Sequence, residues 1–305
     1  MRYLARRLLL AIPVLIGVTL LSFSILRLVP GDPAEVLAGQ EATEEQVAHI
    51  RHEYGLDRPI MVQYVIFLRH VATGDLGISY RNRTPVTELL VERFAFTLQL
   101  AVLSIVVATV LGVMIGVFAA TRQGSALDTL SMLGALAGIS TPVFWLGLIG
   151  ILVFSVQLRI LPAGGSGSLV HLVMPSLVLG AGSAAMMARL TRGVMLEVLG
   201  QDYIRTARAF GLTEGKVLFI HALRNALLPV LTVFGLQFGN MLGGAVLTES
   251  VFALPGMGRL VVDSIFARDY PVVQGGILLA ATTFVLVNVV TDVLYTVLDP
   301  RIRCS

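Results

Sequence analysis

The segment Gly200-Gln-Asp-Tyr-Ile-Arg-Thr-Ala-Arg-Ala-Phe-Gly211 is short and charged and lies between two apolar stretches of the chain. Asp202 suits the first turn of a helix and Gly211 suits its end, so the segment predicts a helix of about two turns. We expect one face of this helix to carry four apolar side chains: Tyr203, Ile204, Ala207 and Phe210. The simplest interpretation is a helix lying on anionic lipid. The alternative is a docking site for another protein.

A second helix is predicted to begin at Thr213 and Glu214 and to run through His221 to Asn225. A helix of two turns is marginal in water and needs a packing partner. A membrane protein gains little from so small an ordered patch unless another molecule binds it. The pair of helices therefore favours the docking site.

The rest of the chain is dominated by apolar stretches. Of its 305 residues, 56% are hydrophobic and 13% are charged, which is far more apolar than a soluble protein. Six stretches approach the length of about 20 residues that spans a bilayer: 8–29, 97–120, 129–156, 169–188, 226–251 and 275–298. The first is too long for a signal peptide and lacks a cleavage pattern. The expected fold class is an all-α polytopic membrane protein with six transmembrane helices.

Basic residues indicate the orientation in the membrane. Arginines gather in the tail before the first stretch, in the loop 189–225, and at Arg301 and Arg303 after the last stretch. An even number of spans places these three regions on one side, which we expect to be the cytoplasm. The net charge of +3 therefore reports topology and contact with membrane lipid. Since no basic patch is interleaved with aromatic residues, nucleic acid is not an expected partner.

The spans divide the chain into four expected parts. Residues 1–29 form a tail and the first helix, and residues 30–96 form an exported capping segment with helices near 42–54 and 59–73. Residues 97–298 form the transmembrane core, with the cytosolic loop 189–225, and residues 299–305 form a cytosolic tail. Residues 162–168 are rich in glycine and serine and predict a flexible external hairpin.

Small residues mark expected features of helix packing. Glycines at intervals of four allow helices to approach closely in lipid: Gly112 and Gly116, Gly134 and Gly138, and Gly235, Gly239 and Gly243. In the third span, the run from Gly138 to Pro142 predicts a weakened or kinked helix.

Polar side chains inside the spans predict a transport path, because burying them in lipid is costly. In the fifth span Gln237, Asn240, Gly244 and Thr248 fall on one stripe, opposite the three glycines. In the sixth span Asn288, Asp292 and Tyr295 align at helical spacing. The alternative is that these groups hydrogen-bond between helices, and for the sixth span the sequence favours neither interpretation.

Catalytic chemistry finds little support. The chain has no phosphate-binding loop, so we expect no ATP site within it. His49 and His52 share a helix face but lack the further ligands that zinc needs. Ser166 lies in an aqueous loop, without the histidine on another span that a serine protease requires. The only cysteine, Cys304, rules out a disulfide within the chain.

The charged segment resembles the cytosolic coupling loop, or EAA motif, of ATP-binding-cassette (ABC) importer permeases. Arg205-Thr206-Ala207 stands where Glu-Ala-Ala is usual, and Gly211 follows at the matching spacing. These departures are similar to the dipeptide/oligopeptide permease family. Further strings typical of that family occur in order along the chain: Leu28-Val-Pro-Gly-Asp-Pro33, Gly55-Leu-Asp-Arg-Pro59, Gly74-Asp-Leu-Gly-Ile-Ser79, Arg224-Asn-Ala-Leu-Leu-Pro229 and Phe252-Ala-Leu-Pro-Gly-Met-Gly-Arg-Leu260.

The resemblance implies a type I ABC importer permease fold, with a MetI-like core in spans two to six, in a bacterial cytoplasmic (inner) membrane. It implies four partners: a second homologous permease, two cytosolic ABC ATPase subunits and an exported substrate-binding protein. ATP and Mg would bind those ATPases, and this chain would hold no cofactor. The coupling residues would be Asp202, Tyr203, Arg205, Ala207, Arg208 and Gly211.

The expected function is import of small peptides, namely dipeptides, oligopeptides or glutathione. Nickel and opine importers use similar permeases and remain alternatives. A proton-coupled secondary transporter is less favoured, because Asp292 and Glu249 lie towards the ends of their spans and the charged loop would have no role. A structural membrane anchor would not need the polar stripe.

Overall fold

The computed structural model describes residues 2–28, 32–39 and 42–298, and describes the backbone alone at 2–8, 25–28, 33, 36, 244, 292 and 294–298. The tail at 299–305, with Arg301 and Arg303, lies outside the described residues. The described part is helical apart from its loops and one β-bridge between Ile78 and Pro85. The chain groups into two compact units, Met1–Thr97 with Pro255–Val285, and Leu98–Leu254 with Leu286–Ser305.

The first unit begins with four helices that precede the long helix α5: α1 (Arg2–Leu28), α2 (Pro33–Ala38), α3 (Glu44–Glu53) and α4 (Ile60–Ala72). The two helices predicted in the capping segment are thus confirmed as α3 and α4. Thr43 caps α3 through a reciprocal pair of hydrogen bonds with Gln46, which satisfies two free N–H groups. α4 packs on α1, where the rings of Tyr64 and Phe23 lie 5.3 Å apart.

The first unit also contains the start of α5 (Val86–Thr121), α12 (Met257–Phe266) and the start of α13 (Tyr270–Leu298). Val86, Leu90, Met257 and Val272 form its apolar core. The loop before α13 is held by Asp269, a buried residue whose carboxylate accepts hydrogen bonds from the Ser79 hydroxyl and the Tyr80 and Arg81 amides. This carboxylate fastens the turn at 79–81 to the segment between α12 and α13.

The second unit contains the end of α5 and the helices that follow it: α6 (Ala126–Ser140), α7 (Val143–Gly150) with a π-helical extension (Ile151–Gln157), α8 (Val170–Leu199), α9 (Asp202–Ala209), α10 (Glu214–Lys216) with a π-helical extension (Val217–Ala222), and α11 (Leu223–Val251). Leu100, Met187, Leu242 and Phe252 are among the residues of its main core. The glycine-rich loop 162–168 is fastened to the end of α11, since the Gly165 N–H donates to the Phe252 carbonyl over 2.9 Å.

Four helices of the described residues are long and apolar enough to cross a bilayer: Val86–Thr121, Val170–Leu199, Glu214–Gly243 and Tyr270–Thr291. A fifth candidate is the pair Ala126–Ser140 and Val143–Gln157, which bends by 104° at the break. The kink predicted near Pro142 is therefore confirmed. The first predicted span falls on α1, whose described apolar part is Leu9–Ser24. The count of six stays a prediction.

Two helices run about three turns past the apolar stretches that predicted their spans. α5 begins at Val86, before the stretch 97–120, and α8 ends at Leu199, after the stretch 169–188. Charged side chains interrupt the apolar pattern in both extensions. In α8 the extension contains Arg189 and Arg192, and Arg192 is paired with Asp128.

The predicted close approach of helices is confirmed at Gly112 and Gly116 of α5. A Cβ atom at either position would lie 2.6 Å from a side chain of α8 and 2.7 Å from one of its carbonyl oxygens. A Cβ atom at Gly235 of α11 would lie still closer to a neighbour, the Cγ2 atom of Thr291 in α13. Gly134 and Gly243 differ, because among the described residues no atom outside the local helix backbone lies within 4 Å of a Cβ built at either position.

Candidate functional site

The predicted helix of the charged segment is α9, which begins at Asp202 and ends at Ala209. Asp202 places a negative charge in the first turn, where the helix dipole favours it. Gly211 has a φ of +72°, the left-handed conformation that glycine adopts at little cost. The predicted start and end of this helix are confirmed.

The apolar face predicted for α9 is divided in the structure. Ile204 and Ala207 are buried against Met195 of α8, Val217 of the π-helical extension and other residues of a small core. Tyr203 and Phe210 are instead 43% and 83% exposed. The four apolar side chains are therefore divided between this core and solvent.

This division gives α9 an inner and an outer side. Ala207 contacts the core of its own chain, and its predicted contact with an ATPase stays a prediction. The exposed apolar side chains of α9 and the residue after it are Tyr203 and Phe210, which we call the outer apolar patch. α9 is therefore anchored to this chain by one side and leaves the other side open.

Charged groups brace the turn after α9. The Arg208 guanidinium donates to both carboxylate oxygens of Glu214, over 2.8 and 3.3 Å, and so bridges the turn at Gly211. The Asn225 amide donates to the Tyr203 hydroxyl over 2.8 Å. Arg205 contacts Asp202 within the helix at 3.4 Å, with both side chains largely exposed.

The second predicted helix begins at Glu214, but it does not end at Asn225. Its π-helical extension passes directly into α11, so the residues from Glu214 to Val251 form one continuous helical run. Pro229 is accommodated inside α11, as proline often is in membrane helices. The separate second helix was thus a wrong prediction, and α9 is joined through one turn to a long span.

The polar stripe of α11 leads from the core to the surface. The Gln237 amide donates to the Ser183 hydroxyl of α8 over 2.9 Å, and the Asn240 amide donates to the Gln237 carbonyl oxygen over 3.3 Å. Gln237 is partly buried and Asn240 is exposed. Thr248 is buried at 1% exposure, and its hydroxyl has no hydrogen-bond partner among the side chains and backbone that the structure describes. Gly244 lies outside the described side chains.

The predicted polar residues of the sixth span are only partly visible. Asn288 of α13 is partly buried. The side chains of Asp292 and Tyr295 lie outside the described residues. Their predicted role on a transport path therefore stays a prediction.

Two buried carboxylates were missed at the level of sequence. Asp269 fastens the turn at 79–81, and Asp128 of α6 pairs with Arg192 of α8. A local signal existed for Asp128, because Ser125-x-x-Asp128 before an apolar run is a capping pattern, and the Ser125 hydroxyl does accept from the Asp128 N–H. Its partner lies 64 residues away, and no spacing rule points to it.

Within the described residues, no group of three metal-ligating side chains comes together.

Comparisons with known proteins agree with this architecture. Residues 112–303 match the family described as "Binding-protein-dependent transport system inner membrane component", and residues 1–101 match its N-terminal component. A solved chain from the inward-facing MetNI methionine ABC transporter superposes with a TM-score of 0.60 at 21% identity, covering 69% of this chain and 96% of that one. The fold is therefore that of a type I ABC importer permease.

Curated relatives match over the full length. The dipeptide transport system permease protein DppB of Alkalihalophilus pseudofirmus is 45% identical, with 99% of each chain covered. The glutathione transport system permease protein GsiC of Salmonella typhimurium is 46% identical, with the same coverage. The chain belongs to the dipeptide/oligopeptide family of ABC importer permeases, the inner-membrane components of binding-protein-dependent transport systems.

Proposed function

We propose that the chain is a permease subunit of an ATP-driven, binding-protein-dependent importer of small peptides. The observation that carries this proposal is the identity of 45–46% over full length to permeases named for dipeptide, di/tripeptide and glutathione transport. The chain is a transport subunit and not an enzyme. Glutathione is itself a small peptide, so it is the second candidate substrate.

The importer would contain a second homologous permease, two cytosolic ABC ATPase subunits and an exported substrate-binding protein. This chain and the second permease would each form half of the translocation pathway. ATP and Mg would bind the ATPase subunits, in keeping with the lack of a phosphate-binding loop here. The chain would lie in the bacterial cytoplasmic membrane with both termini in the cytoplasm, as the arginine-rich flanks favour.

α9 is suited to receive a force from an ATPase. Its inner side is locked to the end of α8 through Ile204 and Ala207, and the brace from Arg208 to Glu214 joins it to the start of the α11 run. Its outer apolar patch is available to a partner. A displacement of α9 would therefore be passed to α8 and α11 together.

α11 is suited to line the path. The exposed Asn240 amide, held by Gln237, offers a donor and an acceptor of the kind that a peptide bond requires. The bond from Gln237 to Ser183 fixes this pair of amides to α8. The opposite side, at Gly235, is packed closely against Thr291.

Uptake by the intact importer tests the proposal. A tag on this chain allows the complex to be purified from its own cells and reconstituted in vesicles with its binding protein outside and ATP inside. We expect ATP-dependent accumulation of a labelled dipeptide, with unlabelled dipeptide competing. Competition by nickel or an opine, with none by dipeptide or glutathione, would contradict the peptide assignment.

A matched pair of exposed phenylalanines tests the coupling surface. Phe210 lies in the outer apolar patch at 83% exposure, and Phe266 lies at the end of α12 at 84% exposure. We expect Phe210→Ser to weaken association with the ATPase subunits, because an exposed aromatic residue is a common hot spot of an interface. Phe266→Ser should leave that association unchanged. Equal retention of the ATPases by both variants would refute a role for the patch.

A further inference from the structure

A buried ion pair joins two transmembrane helices close to α9. Arg192 of α8 donates through Nε to one carboxylate oxygen of Asp128 over 2.6 Å and through Nη2 to the other over 2.7 Å. The Gly124 N–H adds a third hydrogen bond to the same carboxylate over 3.1 Å. The Asp128 side chain is 5% exposed and that of Arg192 is 27% exposed. The carboxylate is thus fully engaged in a fixed, two-pronged geometry.

Such a pair is not explained by stability alone. Taking two charges out of water has a free-energy cost that can exceed the gain from their attraction. A buried ion pair can therefore often be replaced by apolar residues without loss of stability. The pair provides a defined geometry, because a bidentate contact between guanidinium and carboxylate fixes both the distance and the angle between the two groups. Asp128 and Arg192 therefore set the position of α6 relative to α8.

The location of the pair connects it to α9. Arg192 lies one helical turn before Met195, and Met195 is fully buried in the small core that also holds Ile204 and Ala207 of α9. Asp128 lies in the first turn of α6, which is the first arm of the bent pair of helices. A continuous path of contacts thus runs from α9 through the end of α8 to the start of the bent pair.

We propose that the pair of Asp128 and Arg192 is a rigid link that carries displacement of α9 into the bent pair of helices. This inference rests on the proposed transport function. Asp128 and Arg192 are positioning residues and contact neither substrate nor nucleotide. The link keeps α6 and α8 moving as one body, so hydrolysis on the ATPase subunits is converted into movement of the bent pair.

The test compares uptake with hydrolysis in the reconstituted complex. Asp128→Asn keeps the shape of the side chain but removes its charge. We expect the complex to assemble and hydrolyse ATP, while labelled dipeptide taken up per ATP falls by about fivefold or more, the lower end of coupling between distant sites. The exchange Asp128→Arg with Arg192→Asp should recover part of that ratio. The control is Asp263→Asn, in an exposed pair with Arg259 on α12, which should leave the ratio unchanged.

A cross-link separates a rigid link from a contact that opens. With Cys304→Ser as background, Asp128→Cys and Arg192→Cys can be joined by a short bifunctional thiol reagent. A rigid link predicts that joining the two helices restores the dipeptide taken up per ATP. A cross-link that blocks uptake would overturn the proposal, as would an unchanged ratio in Asp128→Asn. If the wild-type complex itself takes up no dipeptide, the proposed function is wrong. If the wild type takes up dipeptide but the variants give either of these two contradicting results, only the proposed link is wrong.

Discussion

Gly116→Ala should separate two helices that are now in backbone contact. A Cβ atom added at Gly116 of α5 would lie 2.6 Å from the Thr191 Cβ, 2.7 Å from the Ala188 carbonyl oxygen and 3.0 Å from the Arg192 amide nitrogen. Two of these atoms are backbone, so no side chain can rotate away to make room. α5 and α8 must move apart by roughly 0.8 Å to bring the 2.6 Å contact to the 3.4 Å at which ordinary van der Waals distances begin.

The expected cost follows from that separation. Overpacking a well-packed site by one methyl group costs about 1–3 kcal/mol. The replacement of glycine by alanine inside a helix returns up to about 1 kcal/mol. Gly134→Ala on α6 is the matched control, because it gives the same return and its Cβ meets no atom of another described element within 4 Å. Gly116→Ala should therefore be less stable than Gly134→Ala by about 1–3 kcal/mol.

The assay is unfolding of the purified chain in detergent, measured by circular dichroism with increasing denaturant. Using the isolated chain keeps any partner subunit from contributing at Gly134. The midpoint for Gly116→Ala should fall below those of the wild type and of Gly134→Ala. Equal midpoints for the two variants would show that α5 and α8 do not pack at the distance described, and the reasoning would be refuted.

Two further predictions concern carboxylates of the first unit. Asp269→Ala removes the acceptor of the Tyr80 and Arg81 amides and should lower the free energy of unfolding by about 1.5–3 kcal/mol. Hydrogen exchange at those two amides should become faster. Unaltered exchange would contradict the contact. Burial alone would raise the pKa of Asp32, but hydrogen bonds from Arg51 and the Ala34 N–H, with the charge of Arg51, outweigh it and lower that pKa. A carboxyl group with a lowered pKa stabilises the fold above the pKa of about 3.9 that it has when unfolded, and this contribution is lost as the pH falls through the folded value. Protection of the α2 amides, taken relative to their intrinsic exchange rate at each pH, should therefore fall below about pH 4 in the wild type, whereas Asp32→Asn should show little such change.

Elements with local signals were predictable from the sequence. α9 is bounded by Asp202 and Gly211, and each acts on its own turn of backbone, so its start and end were found. The bend near Pro142 was also found, because a proline removes an N–H group and clashes with the preceding turn, although Pro229 lies inside the continuous helix α11. The close approach at Gly112 and Gly116 was signalled by residue size alone.

Features that depend on a distant partner were not predictable. Arg192 has no local sequence signal for a partner, and the carboxylate that it binds, Asp128, lies 64 residues away on another helix. The division of the apolar residues of α9 depends on Met195 and Val217, which bury Ile204 and Ala207 but leave Phe210 exposed. Periodicity identifies a helix face, and the neighbours decide which part of it is covered.

The position of the bent pair of helices bears on which side of the membrane each of its ends faces. A helical pair broken by 104° can either cross the bilayer or return to the side it came from. Its beginning, at Asp128, is bonded to Arg192 near the end of α8 that leads into α9. The loop that follows it is bonded at Gly165 to Phe252, beyond the far end of α11. Since α11 leads away from α9, the two ends of the bent pair lie at opposite ends of the neighbouring spans. We therefore expect the bent pair to cross the membrane once, which would leave its two ends facing opposite sides.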